Sequence, residues 1–265
     1  MISPVCILTV AGSDSGGGAG VQVDQRTIRA IGGHALTAVT AVTAQDTLGV
    51  SAWEPVSAAL VRAQVESALS GFPVAAVKTG LLPGPGTIRA VASALARFPA
   101  LPLVIDPVLS STSGTRFLSD TGVRALRTLL FPIASVITPN WPEAAALTGL
   151  TVRTHAQAAR AAAQLALECG RPVLVKGGHA RGGICRDCLA IPGKDILWYE
   201  APRIATTNTH GTGCVLSSAI ASWLGRGAAL PEAVRLARSF LQRALTRGRG
   251  LRWKGGRGTA FYGNR

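Results

Sequence analysis

Acidic side chains are scarce in this sequence. It carries 13 Asp and Glu against 27 Lys and Arg, a formal net charge of +14. Only 15% of residues are charged and mean hydropathy is +0.32, which excludes a chain disordered over most of its length. Lysine is rare too, so most of the positive charge is arginine. Long apolar runs are missing, and no stretch reaches the length of a membrane span. The opening "MISPVCILTVAG" lacks a basic n-region and reads as a strand rather than a signal peptide. A cytoplasmic protein without a membrane partner is expected. The five cysteines (Cys6, Cys169, Cys185, Cys188 and Cys214) are odd in number and show no disulfide framework. Cys185 and Cys188 form half of a zinc-type pair, with no second pair and no suitably spaced His, so zinc is not predicted. Two common nucleotide fingerprints are absent as well. No Gly-Lys-Ser/Thr occurs, which excludes a P-loop, and Val21 and Val23 break both Rossmann spacings of the glycine-rich stretch.

What is present is a regular alternation. Short β-branched runs at 5–11, 35–43, 75–79, 103–106, 135–138 and 172–176 read as strands. Longer amphipathic runs at 19–31, 57–69, 85–98, 119–130, 141–148, 155–168, 211–224 and 231–247 read as helices. Strands apolar throughout are those buried on both faces of a parallel sheet, and their alternation with helices marks repeated βαβ units. Residues 183–199 alternate around Pro192-Gly193 and read as a hairpin. No linker splits the chain. The expectation is one α/β domain over 1–265, a three-layer α/β/α stack around a mostly parallel sheet. Ligands in such folds sit at the carboxyl ends of the strands.

Five stretches carry candidate chemistry. "AGSDSGGGAGVQVD" joins the first strand to the first helix and brings backbone close to a ligand, or is simply a flexible turn. "IDPV" sets Asp106 at a strand end, either as a turn-initiating residue or as a carboxylate for Mg²⁺. In "ITPNWPEAAALTG", Asn140, Pro142 and Glu143 make a complete capping box, and the same residues could face a metal-bound nucleotide. "VLVKGGH" ends a strand with Lys176, a point charge for phosphate or a surface lysine before a turn. "THGTGC" sets Gly211, Thr212, Gly213 and Cys214 at a helix start. Their free N–H groups would bind an anion and lower the Cys214 pKa, unless the cysteine is a buried inert one. His34, His155 and His210 read as surface or packing residues, with some claim for His210 by its position alone.

Together and in this order, "AGSDSGGGAG", "TAVTAVTAQDTLGV", "VKTGLL", "IDPV", "ITPNWPEAAALTG", "VLVKGGH" and "NTHGTGCVLSSAIA" resemble the hydroxymethylpyrimidine/phosphomethylpyrimidine kinases of thiamine biosynthesis. These are members of the ribokinase-like superfamily. The resemblance implies that fold, with ATP and Mg²⁺ used to phosphorylate 4-amino-5-hydroxymethyl-2-methylpyrimidine and then its monophosphate. It implies that Gly12, Asp24, Gln45 and Leu81 line the pyrimidine. Asp106 and Glu143 would serve Mg²⁺, and Asn140, Lys176, Thr206 and Asn208 would face the nucleotide. Gly211 to Cys214 would form the anion hole, with Cys214 assisting deprotonation where other ribokinase-like enzymes place Asp. A homodimer is implied in the same way.

Some positions depart from that pattern: Asp46 where Asn is usual, Thr112 where many members have Lys, and an atypical basic ending, "GLRWKGGRGTAFYGNR". From Ala233 onward there are nine basic residues and no acidic one. No recognition motif accompanies that charge, so a basic, flexible, solvated tail over about 248–265 is expected rather than a nucleic-acid site. Three rivals remain: a pyridoxal kinase, a non-catalytic pyrimidine sensor, and a nucleic-acid binder. The first is weakened because positions 110–113 read Ser-Ser-Thr-Ser, without a cysteine to capture an aldehyde.

Overall fold

The computed structural model describes residues 4–111, 114–180, 182–256 and 258–260. Thr112, Ser113, Arg257 and the last five residues of the basic ending therefore lie outside the described residues. One nine-stranded sheet organises the chain. Its strands are β1 (Cys6–Asp14), β2 (His34–Gln45), β3 (Val50–Pro55), β4 (Val74–Thr79), β5 (Leu103–Ile105), β6 (Val136–Ile137), β7 (Val173–Val175), β8 (Ile184–Ala190) and β9 (Leu197–Pro202). Their spatial order is β3-β2-β1-β4-β5-β6-β7-β8-β9. From β2 to β7 all neighbours are parallel, while β3 at one edge and the β8–β9 hairpin at the other run antiparallel.

Among the described residues the α-helices are α1 (Gly20–Ala30), α2 (Ala58–Gly71), α3 (Pro85–Leu95), α4 (Asp120–Ala125), α5 (Trp141–Thr148), α6 (His155–Cys169), α7 (Thr212–Gly225) and α8 (Leu230–Gly248). Alternate strand residues serve two cores. Cys6, Leu8, Val10, Val77, Ile105 and Ile137 pack with residues of α2–α6, while Ile7, Ala76, Val104, Val136 and Leu174 pack with α1, α7 and α8. Both faces of the sheet are thus covered, which is why its strands are apolar without alternation. The three-layer α/β/α expectation matches this arrangement.

Three local differences have physical reasons. Strand β1 runs three residues beyond the predicted end, because Ser13 and Asp14 resume pairing with β2 after a register shift at Gly12. The helix read over 119–130 is α-helical only to Ala125, after which Leu126–Leu130 form a π turn and Phe131–Ile133 a 3₁₀ turn. The ending is not a free tail over its described part. Residues 251–256 are exposed, as expected, but Thr259 and Ala260 are buried. His210 N donates to Gly258 O (3.0 Å), and Thr259 Oγ1 donates to Gly18 O (3.2 Å). Thr47 Oγ1 donates to Lys254 O (2.9 Å), tying the β2–β3 turn to the same segment. These bonds pin the segment to three loops that border one end of the sheet. Among the described residues, no helix is long and apolar enough to cross a membrane.

Candidate active site

Every candidate stretch comes to the carboxyl ends of β1, β4, β5, β6 and β7, with the N-terminus of α7 above them. Helix α7 begins at Gly211, whose φ is +75°, and no side chain caps it. The Thr212 N–H donates to Thr209 O (3.3 Å), while the Gly213 and Cys214 N–H groups stand in the first turn, at the positive end of the helix dipole. Glycine is required at Gly211 because a Cβ would lie 1.9 Å from Gly18 O. At Gly20 (φ +58°), a Cβ would lie 2.2 Å from Gly12 O. The two glycine-rich turns thus touch, and the Gly20 N–H acts to lower the Cys214 thiol.

Beside α7 stands a charged cluster. Lys176 Nζ donates to Asp106 Oδ1 at 2.5 Å and lies 3.9 Å from Glu143 Oε2. Thr138 and Ser217 hydroxyls also approach the buried Asp106 carboxylate, each at 3.3 Å. A Cβ on Gly213 would sit 3.3 Å from Lys176 Nζ and 3.6 Å from Asp106 Oδ2, so the anion-hole backbone and the cluster are immediate neighbours. Burial acts to lower the Lys176 ammonium, but Asp106 and Glu143 outweigh it and raise it. Burial pushes the Glu143 carboxyl up to about 7, with Asp106 adding to the rise and Lys176 opposing it. The capping box is also real: Asn140 N donates to Glu143 Oε2 (2.7 Å), and Glu143 N donates to Asn140 Oδ1 (2.9 Å). Asn140 pairs with Lys176 in a parallel bridge, so the cap serves to hold Glu143 at the cluster.

Three expectations need correction. Asp24 does not line a ligand surface. It is wholly buried, with Oδ2 accepting from Lys78 Nζ (2.7 Å) and Thr9 Oγ1 (2.5 Å). A lysine inside a sealed strand requires a counter-ion, and α1 supplies it across β1, where Thr9 pairs with Lys78. Asn208 does not face a nucleotide. Its Nδ2 donates to Gly248 O (2.7 Å) and Leu251 O (2.9 Å), while its N–H donates to Thr206 Oγ1 at 3.0 Å. The Thr206–Asn208 turn thus clamps the end of α8. Finally, Cys214 is not a low-pKa thiol here. It is partly exposed, yet the protein packed around it pushes it up to about 11, with Asp24 and Asp106 adding to the rise. Lys78 and the Gly20 N–H oppose that shift without reversing it.

Of the remaining expected residues, Gly12 and Leu81 sit together. A Cβ on Gly12 would lie 3.0 Å from Leu81 Cδ2. Leu81 clusters with Ala41 and Phe117, flanked by Val50, Trp53 and Val108. Gln45, at the end of β2, binds His210 instead of standing free (Nε2 to Nε2, 3.1 Å).

Sequence reasoning missed Lys78, Asp14 and most of what His210 does. The signal for Lys78 was its place in the apolar run "VAAVKT". For Asp14 it was the glycines after it, whose N–H groups the carboxylate gathers. Gly16 N reaches Oδ1 at 2.8 Å, and Gly18 N and Ala19 N reach Oδ2 at 3.0 and 2.8 Å.

An uncapped helix start, a lysine among carboxylates and glycine loops at the carboxyl end of this sheet define the ribokinase-like class of α/β kinases. Comparisons with known proteins agree. The phosphomethylpyrimidine kinase family matches residues 14–260. A hydroxymethylpyrimidine/phosphomethylpyrimidine kinase of Streptomyces coelicolor is 45% identical over 93% of this chain and 91% of its own. One from Rhizobium meliloti is 43% identical, covering 97% of each. Among solved structures, Bacillus subtilis pyridoxal kinase with ADP superimposes with a TM-score of 0.87 at 32% identity, covering 97% of each chain. Phosphomethylpyrimidine kinase from Clostridium difficile does so with a TM-score of 0.78 at 36% identity, covering 91% of this chain and 99% of that one. The chain belongs to the phosphomethylpyrimidine kinase family and is a kinase.

Proposed function

We propose that this protein transfers the γ-phosphoryl group of ATP to the hydroxymethyl oxygen of 4-amino-5-hydroxymethyl-2-methylpyrimidine, and then to the resulting monophosphate, in the thiamine pathway. The observation that carries the reading is the adjacency of the uncapped α7 start to Lys176 and Asp106, with the Gly12–Leu81 surface on the same end of the sheet. The substrate oxygen attacks the γ-phosphorus, the bond to the β-phosphate oxygen breaks, and ADP leaves. Lys176 and the N–H groups of Gly211, Thr212, Gly213 and Cys214 neutralise charge on the transferring group. Such transfer asks little of a base until the new P–O bond is formed, so the hydroxyl proton leaves late. Cys214 takes it in its thiolate form, which Lys78 and the Gly20 N–H favour and burial opposes.

The donor set suits Mg²⁺. Asp106 and Glu143 offer hard carboxylate oxygens around one ammonium, and Mg²⁺ meets phosphates through one or two carboxylates with waters completing its shell. When bound, it would neutralise the nucleotide phosphates. Gly12 and Leu81 would pack on the pyrimidine, Gln45 would bond its edge, and Asn140 and Thr206 would border the nucleotide. The proposal includes the homodimer that the resemblance implies, which sedimentation equilibrium reads. Pyridoxal kinase is the second reading, favoured by the close superposition on the Bacillus subtilis enzyme. An ATP-consumption assay with the pyrimidine, its monophosphate and pyridoxal separates the two.

A further inference from the structure

The chain that carries the Lys176 ammonium leaves its sheet ladder just where the ammonium is needed. Val175 and Cys188 are the last pair of the β7–β8 ladder. Lys176 itself is held on the β6 side, where its N–H donates to Pro139 O (2.9 Å). Gly177 then starts a 3₁₀ turn, Gly177–His179, and a Cβ there would lie 1.7 Å from Arg186 O. Two side chains take over from the ladder. Asp187, on β8, is buried, and its Oδ1 accepts from the Gly177 N–H at 2.6 Å. Its Oδ2 accepts from Arg238 of α8, whose Nη2 also donates to Cys185 O (3.1 Å). Both carboxylate oxygens are thus engaged, one on the turn and one on the helix behind it. Such charge-assisted bonds are stronger than those between neutral groups. Arg203, one residue past β9, binds the turn from its far side. Its Nε donates to Gly182 O (2.8 Å), its Nη1 to Gly178 O (3.2 Å) and its Nη2 to Ala180 O. Three carbonyls of one short segment therefore share a single planar guanidinium, which a lysine could not reproduce.

We propose that Asp187 and Arg203 are positioning residues for Lys176: they hold the turn that follows it, so that its ammonium stays beside Asp106, Glu143 and Gly213 where the phosphoryl group is transferred. The inference rests on the proposed role of Lys176 and deepens it. A shift of the turn passes directly to the lysine backbone, and misplacing a catalytic group by about 1 Å can cost about 10²-fold in rate. The effect should fall on kcat, because the charge that Lys176 neutralises develops during transfer, and the Gly12–Leu81 surface is built by other strands.

The test is a double-mutant cycle. Arg203→Met and Asp187→Asn are each made in wild type and in Lys176→Met, and folding is checked by circular dichroism. Steady-state rates are read with ATP, Mg²⁺ and whichever acceptor the wild type phosphorylates, the pyrimidine or pyridoxal. In wild type each substitution should lower kcat by about 10- to 100-fold and leave the acceptor KM within about threefold. In the Lys176→Met background the same substitution should change kcat by less than about threefold, since a residue acting through Lys176 has nothing left to place. Arg203→Met serves should Asp187→Asn fail to fold through loss of the Arg238 counter-ion. Equal losses with and without Lys176, or no loss in wild type, overturn the positioning role. A Lys176→Met variant with the wild-type kcat overturns the reading of Lys176 beneath it.

Discussion

Replacing Lys78 by Met should be among the most damaging single changes available in this sheet. Both Lys78 and Asp24 are completely buried, and their 2.7 Å contact is the ammonium's direct ion pair. Without Lys78, Asp24 keeps only the Thr9 hydroxyl, since its Oδ1 has no hydrogen-bond partner. Removing one member of a buried pair costs about 3–5 kcal/mol. For a domain of roughly this size, each kcal/mol lowers Tm by about 2–4 °C. Replacing both, as Asp24→Leu with Lys78→Met, leaves the buried Thr9 hydroxyl without its acceptor, a loss of about 1–3 kcal/mol. The cost in the single variant should also depend on pH. With Lys78 gone, burial raises the Asp24 carboxyl above its unfolded value. The protonated form is then tolerated at low pH, and the penalty grows as pH rises from the unfolded pKa towards the folded one, by about 1.4 kcal/mol per unit. Urea unfolding at pH 5 and pH 8 measures both effects. A Lys78→Met variant within about 1 kcal/mol of wild type at pH 8, or a double variant no more stable than the single one, would refute the reasoning.

Other predictions follow from the same geometry. Alkylation of Cys214 by iodoacetamide should accelerate about tenfold per pH unit from 7 to 10, because the thiol lies up near 11 and only the thiolate reacts. A rate already flat at pH 8 would mean a low-pKa thiol. Cys214→Ala should leave nucleotide binding intact and lower kcat by about 10²-fold or more, as loss of a general base does. Gly211→Ala should abolish folding or turnover outright, since its Cβ has 1.9 Å to the Gly18 carbonyl and φ is positive. Truncation after Gly248 should lower Tm and raise the pyrimidine KM more than that for ATP. It removes the bonds from Asn208, His210, Thr47 and Thr259 that pin the loops around Gln45.

The parts legible in the sequence are those set by local pattern. Apolar strands such as Val173–Val175 and the capping box at Asn140–Glu143 follow from residue periodicity and from side chains three apart. The edge strand Val50–Pro55 was not read. It is mostly exposed, so it carries neither an apolar run nor a clean alternation. Long-range partners were equally silent. Nothing near Asp24 announces that its neighbour is Lys78, 54 residues on, and this is why a buried counter-ion was taken for a ligand contact. The same holds for Asn208, whose partners lie 40 and 43 residues away, at the end of α8. The basic ending looked solvated because its charge is local information, while the burial of Thr259 depends on Gly18 at the other end of the chain. Cys214 shows the limit from the opposite side. Its helix start was legible, but the thiol is raised rather than lowered, because the carboxylates of Asp24 and Asp106 and the packing around it come from elsewhere in the fold.

The central claim is that this kinase acts on both the hydroxymethylpyrimidine and its monophosphate. The most direct test is ATP consumption by the purified protein with Mg²⁺ on those two compounds and on pyridoxal, with Cys214→Ala alongside. Turnover of both pyrimidines, little on pyridoxal and a large loss in the variant is the predicted result. Turnover of pyridoxal alone, or of none of the three, would contradict it.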